Sequence, residues 1–226
     1  VEPKNPDTIV IKNKYYPSGL TEQMVWNHYL EYKTKILNEV KNKPLLLFLF
    51  VDINKYIVKR NIENNSIKLD DKNYENIING RTVSISMEPG DKLDYFCIDI
   101  DAPDNISESQ KKEAVKDIIN LYKIMNQVKK IRIISTSNGY HVYGFLSKKI
   151  SNDKAIEILK KILNIKFKDK YNIGTRGKET GITLDLTPMY SRGSHVVPYC
   201  LTREGLIALD ITNNWKNYKR ENSKVK

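Results

Sequence analysis

Residues 93–101, Leu-Asp-Tyr-Phe-Cys-Ile-Asp-Ile-Asp, constrain this chain more than any other segment. The apolar run Tyr95-Phe96-Cys97-Ile98 reads as a strand, and it closes on Asp99-Ile100-Asp101. Side chains alternate along a strand, so Asp99 and Asp101 share one face. Two carboxylates so placed repel unless a cation sits between them. Oxygen ligands of this kind suit Mg²⁺ or Mn²⁺. The plainer reading of the same residues is a strand-end turn led by Asp101-Ala102-Pro103.

The chain's 226 residues suffice for one large domain or two small ones with a real core. No apolar run approaches the roughly 20 residues of a membrane span; the longest, 44–51, is strand-sized. The 38 Lys and Arg outnumber 27 Asp and Glu, a formal charge of +11. That excess favours a polyanionic partner such as nucleic acid, although Lys, Asn and Ile recur throughout and could reflect compositional bias alone. Cys97 and Cys200 lack metal-binding spacing and suit a reducing cytoplasm; no secretory signal is legible.

The expected organisation is one catalytic domain over 1–226, with an N-terminal lobe (1–80), a catalytic lobe (81–215) and a charged, frayed tail (216–226). In the first lobe, extended residues 8–11 precede a turn at Pro17-Ser18-Gly19, a helix capped by Thr21 and running to about Val40, and strands over 45–51 and 55–60. The second reads strand (83–87), strand (93–101), a helix opened by the capping box Ser107-x-x-Gln110 and running to about Val128, then strands over 131–136 and 141–146. A helix over 152–163, a basic loop over 166–178, and strands over 182–186, 196–199 and 206–211 follow. Strand–helix alternation with hairpins indicates an α+β fold with a mixed or antiparallel sheet.

Two further features bear on chemistry. Ser135-Thr136-Ser137-Asn138-Gly139-Tyr140-His141 is a hydroxyl-rich turn between strands, with a histidine opening the second. Backbone N–H groups and hydroxyls in such a turn can cradle phosphate, and a histidine can donate to it; an ordinary β-turn has the same appearance. Thr183-Leu184-Asp185-Leu186-Thr187-Pro188 ends another apolar strand in an acid. Asp185 can complete a three-carboxylate, two-metal site of the kind used in phosphoryl transfer.

The order of these motifs resembles the archaeo-eukaryotic primase (primase–polymerase) superfamily: two aspartates closing a strand, a small-residue turn ending in histidine, then a strand-end aspartate. Within it the chain is most similar to the polymerase domains of ligase D-type end-joining systems. That likeness rests on Lys14-Tyr15-Tyr16-Pro17-Ser18-Gly19-Leu20-Thr21, the helix carrying His28-Tyr29, Asn42-Lys43-Pro44-Leu45, and Val196-Val197-Pro198-Tyr199-Cys200-Leu201-Thr202-Arg203 closed by Trp215. It implies a two-lobed α+β fold whose RRM-like sheet carries the catalytic acids.

The resemblance implies that Asp99, Asp101 and Asp185 are catalytic and bind two Mg²⁺ or Mn²⁺ ions. It implies that Ser135, Ser137, Asn138 and His141 hold the incoming nucleotide, with Arg192 or Arg203 on its phosphates. Arg192-Gly193-Ser194-His195 also resembles an element of replicative primase small subunits, so both arginines stay candidates. A lysine follows the Gly-Thr of the first loop in many end-joining enzymes; Glu22 stands there, leaving Lys12 and Lys14 for the DNA contact. Arg176 and Lys178 are further candidates for the DNA backbone. The implied reaction is template-dependent nucleotidyl transfer from NTP or dNTP, ribonucleotides included, at primer-templates, gaps or broken ends, with a DNA ligase and an end-binding protein as partners. The alternatives are a de novo primase domain of a replication, plasmid, viral or CRISPR-linked protein; a two-metal nuclease using the same acids; and a non-catalytic nucleic-acid-binding module. Phe48 and Phe50 read as core or as template-stacking residues, His28 as a helix-face residue, and Cys97 as core.

Overall fold

A computed structural model describes residues 8–12, 20–41, 43, 45–52, 55–59, 68–78, 82–174, 180–191 and 193–226. Along the chain these form β1 (Thr8–Lys12), α1 (Glu22–Val40), β2 (Leu45–Asp52), β3 (Lys55–Lys59), α2 (Tyr74–Ile78), β4 (Thr82–Met87), β5 (Lys92–Asp101) and α3 (Glu108–Ile124). Then come β6 (Val128–Ser135), β7 (Tyr140–Ser151), α4 (Asn152–Phe167), β8 (Asn172–Gly174), β9 (Thr183–Asp185) and β10 (His195–Val196), with short 3-10 turns at Thr187–Met189 and Arg220–Ser223. Among the described residues no helix is long and apolar enough to cross a membrane.

The chain divides into two compact units. One comprises Val1–Glu88, His195–Leu209 and Arg220–Lys226; the other Pro89–Ser194 and Asp210–Lys219. Both differ from the lobes read in sequence, because strand pairing rather than chain order decides membership. The first unit's sheet has the order β1-β3-β2-β4-β10, with every neighbour antiparallel. β4 therefore belongs to this unit, and β10 returns to it late in the chain by pairing His195 with Met87. Thr21 caps α1, its hydroxyl accepting from the Met24 N–H at 3.2 Å. The helix buries Val25, Tyr29, Ile36 and Val40, whose spacing keeps them on adjoining turns of one face. Tyr74 donates its hydroxyl hydrogen to the Tyr29 carbonyl (2.7 Å), and the Tyr29 hydroxyl accepts from the Leu201 N–H (3.2 Å).

The second unit is built as β5-α3-β6-β7-α4-β9, with sheet order β6-β7-β5-β9 and β8 added in parallel beyond β9. The first four strands pair antiparallel throughout. This is the RRM-like βαββαβ arrangement, two α-helices on a four-stranded antiparallel sheet. The Ser107–Gln110 capping box is present in full and opens α3. Phe96, Ile98 and Ile100 alternate to the face that meets the helices, and all three are buried; Phe96 stacks on Tyr122 of α3 at 6.3 Å. Gly144 lies opposite Phe96, and a Cβ there would meet the Tyr122 ring at 3.0 Å. Its missing side chain is what lets the helix sit that close.

Several boundaries moved. α3 ends at Ile124, and α4 runs on to Phe167 into what reads as the basic loop. The strand read at 196–199 is only His195–Val196, because Pro198 has no N–H to give a ladder and Tyr199 takes a left-handed backbone, φ 70°. The strand read at 206–211 is reduced to isolated bridges, among them Leu201 to Ile207 and Ile134 to Asp210. The tail is not frayed. Tyr218 and Ser223 are buried, and the Lys112 ammonium donates to the carbonyls of Lys216 and Tyr218, each at 2.8 Å.

Asp210 fixes that return onto the edge of β6. Its Oδ2 lies 2.7 Å from Arg132 Nε, and its Oδ1 accepts from the Thr212 hydroxyl (2.6 Å) and N–H (3.1 Å). Thr212 Oγ1 in turn accepts from the Ile133 N–H at 3.0 Å. Burial works against the Asp210 charge, but the Thr212 hydrogen bonds and Arg132 outweigh it and hold the carboxyl below its usual value. A carboxylate depressed in the folded state adds stability above its unfolded pKa and loses it as the pH falls through the folded one. Asp210→Asn is expected to lower the thermal midpoint at neutral pH and to shrink its fall on acidification below about pH 4, measured by melting both proteins across pH.

Candidate metal and nucleotide site

Strand register builds the site. Asp99 lies directly opposite His141 of β7 on one side and Asp185 of β9 on the other. Directly opposed residues of an antiparallel pair present their side chains on the same face. Asp101 shares that face by period 2, opposite Thr183. All four groups therefore converge on the face opposite the helices. One carboxylate oxygen from each of Asp99, Asp101 and Asp185 lies within 4.8 Å of the others. Charges that close repel by roughly 3 kcal/mol per pair at an effective dielectric constant of about 20, so the bare cluster needs a counter-charge.

His141 Nε2 approaches Asp99 Oδ1 at 3.4 Å, and both side chains are largely buried. That contact is ionic in distance only: Asp99 Oδ1 is buried and accepts no hydrogen bond. An anionic oxygen withdrawn from water without a donor is costly. A divalent cation would supply the missing partner, and three carboxylates form an oxygen donor set of the kind Mg²⁺ and Mn²⁺ take. The residues fit the ion.

Asp185 is held differently. Its Oδ1 accepts from the Thr187 hydroxyl (2.6 Å) and N–H (2.7 Å), which fixes the carboxylate's orientation. Two residues before Asp99 on β5, the Cys97 N–H donates to Met189 Sδ at 3.3 Å. Cys97 is fully buried, and burial pushes its thiol well up, so it stays protonated core, as read in sequence.

The hydroxyl-rich turn is brought to the acids by one glycine. A Cβ on Gly139 would overlap the carbonyl oxygen of Ile100. Only glycine lets the β6–β7 hairpin lie against the end of β5. Part of the expected phosphate cradle is spent internally: Thr136 N–H donates to the Gly139 carbonyl (3.0 Å) and Gly139 N–H to Thr136 Oγ1 (3.1 Å). Ser135 is fully buried, Ser137 half-buried, and Asn138 exposed. Asn138 lines a cleft of about 290 Å³ with Asp101, Ala102, Pro103, Asp104, Gly181 and Thr183.

Other sequence candidates lie elsewhere. Arg203 is exposed in the turn Thr202–Gly205 of the first unit, where the Gly205 N–H donates to the Thr202 carbonyl. Lys12 ends β1, paired with Lys55. Lys14, Arg176, Lys178 and Arg192 lie outside the described residues, as do the side chains of Phe48 and Phe50. Sequence reading missed Thr187, although Asp-x-Thr is the pattern of a side chain that bonds its own backbone two residues on.

No protein-family model and no curated protein matches the sequence. Among solved structures, the polymerase domain of Mycobacterium tuberculosis ligase D, solved in complex with DNA, matches with a TM-score of 0.65 at 11% identity, over 91% of this chain and 85% of that one. The fold is the primase–polymerase fold. It accounts for the RRM-like unit and for the α+β class expected from sequence.

Two outcomes test this geometry. Gly139→Ala should push the hairpin off β5, lowering the thermal midpoint by an amount matching about 1–3 kcal/mol and weakening Mn²⁺ binding. Thr187→Val should free the Asp185 carboxylate and raise the Mn²⁺ dissociation constant about tenfold, with Thr187→Ser restoring most of it; calorimetric titration reads both.

Proposed function

We propose that this protein is a template-dependent nucleotidyltransferase acting on DNA, with Asp99, Asp101 and Asp185 as its catalytic acids. The observation that carries the reading is the convergence of three carboxylates beside His141, one of them with a buried oxygen that no hydrogen bond reaches. The fold shared with a polymerase domain supports it, and the net charge of +11 suits a polyanionic partner.

Two Mg²⁺ or Mn²⁺ ions held by the three acids would activate the attacking oxygen and neutralise charge on the phosphates. The chain's own residues do the rest. His141 sits where it can donate a hydrogen to a triphosphate oxygen. Thr187 keeps Asp185 in one orientation before substrate arrives, and such positioning supplies most of the rate in phosphoryl transfer. The cleft beside Asp101 offers room for the nucleoside attached to the reacting phosphate, with Asn138 at its edge. No protein nucleophile is required. The substrate set that follows is NTP or dNTP, ribonucleotides included, added to primer ends at gaps or breaks, with Arg192 or Arg203 as the phosphate-neutralising arginine and Lys12, Lys14, Arg176 and Lys178 along the DNA.

Extension of a labelled primer on a DNA template with Mn²⁺ tests the reading. Wild type should add nucleotides, and Asp99→Ala and Asp185→Ala should each lose at least about a thousandfold of that rate, on the scale of removing groups that stabilise transition-state charge. Full activity in both variants would remove the site. Degradation of DNA without nucleotides would assign the acids to a nuclease instead.

A further inference from the structure

The first unit carries an aromatic column of its own. Tyr199 has φ 70°, and no other non-glycine residue among those described has a positive φ. Glycine takes that conformation freely, whereas a bulky side chain rarely does. The backbone is held there deliberately. The Tyr199 N–H donates to the Ala208 carbonyl (2.7 Å), the Cys200 N–H donates to the Val197 carbonyl (3.0 Å), and the Tyr199 carbonyl lies 2.8 Å from His28 Nε2. Burial lowers the His28 pKa, so the ring is neutral near pH 7 and donates from Nε2 to that carbonyl.

His28, Tyr32 and Lys35 occupy one face of α1 at spacings of four and three residues. His28 stacks on Tyr32 with ring centres 4.8 Å apart, and Tyr32 on Tyr199 at 5.9 Å and 21°. The Lys35 ammonium lies 5.1 Å from the Tyr32 ring centre and 5.2 Å from that of Tyr199. Both tyrosines are partly exposed, and Lys35 is exposed. Tyr199, at this left-handed backbone position, thus presents a partly exposed aromatic ring beside a cation.

We propose that this column is a stacking platform for an unpaired nucleic-acid base, with Lys35 receiving the adjoining phosphate. A nucleotide consists of a flat ring and an anion, and the column offers an aromatic stack and an ammonium side by side. Stacking is tolerant of sequence because every base has a π-face. A base inside a duplex has both faces covered, so the occupant is single-stranded. The proposal concerns residues of the first unit alone and stands whether or not the acids catalyse nucleotidyl transfer.

Fluorescence anisotropy with a labelled oligothymidylate of about 15 nucleotides, against a closed hairpin of equal charge, tests it. Tyr199→Gly removes the ring and relieves the positive φ, so its melting midpoint should not fall. Its single-strand affinity should drop about tenfold while hairpin affinity changes less than about twofold. Lys35→Gln should weaken single-strand binding and flatten its salt dependence by about one counterion. Unchanged single-strand affinity in Tyr199→Gly overturns the proposal, and so does an equal loss on both ligands. Should Tyr199→Gly fail to fold, Tyr32→Leu carries the same comparison.

Discussion

The opposition of Asp99 and Asp185 across two hydrogen-bonded strands is the constraint on which the second unit turns. Like charges directly opposite in an antiparallel pair are destabilising, yet here a third carboxylate joins them within 4.8 Å. Such an arrangement persists only because backbone pairing and a buried helix face hold it from behind. Phe96, Ile98 and Ile100 pack away from the acids, and the Phe96–Tyr122 stack ties β5 to α3. The apolar side of β5 provides the stability, and its polar side carries the charges.

The same logic explains the small residues around the site. Gly144 and Gly139 both occupy positions where a Cβ would meet a neighbour, the first the Tyr122 ring and the second the Ile100 backbone. One brings a helix onto β5 and the other brings the hydroxyl-bearing turn beside its end. Thr187 adds orientation, locking one oxygen of Asp185 while the Asp99 oxygen facing His141 accepts no hydrogen bond. The cluster therefore combines one fixed carboxylate with one whose buried oxygen lacks a hydrogen-bond donor, a pairing that suits the proposed metal-dependent chemistry.

Much of this was legible from residues, and the remainder was hidden for physical reasons. Period 2 placed Asp99 and Asp101 on one face, and the capping box placed the start of α3, because both signals are local. The opposition of Asp99 to Asp185 and His141 was not readable, since register between distant strands depends on pairing that no local pattern encodes. For the same reason β4, read as a strand of the second lobe, pairs instead with β2 and β10 of the first unit. The short strand after His195 was overestimated because Val196 and Val197 look like strand residues, while Pro198 and the left-handed Tyr199 end the ladder. The charged tail concealed Tyr218 and Ser223, two residues whose burial ties it down. The Asp-x-Thr pattern occurs at Asp185 and again at Asp210, catalytic in one proposal and structural in the other, so the motif alone could not rank them.

Crystals grown with Mn²⁺ and a non-hydrolysable nucleoside triphosphate test the central claim most directly, because anomalous scattering locates manganese without reference to activity. The account predicts manganese bounded by Asp99, Asp101 and Asp185, with the triphosphate beside His141. Manganese absent from the three carboxylates at saturating concentration, or a triphosphate bound away from them, would contradict it.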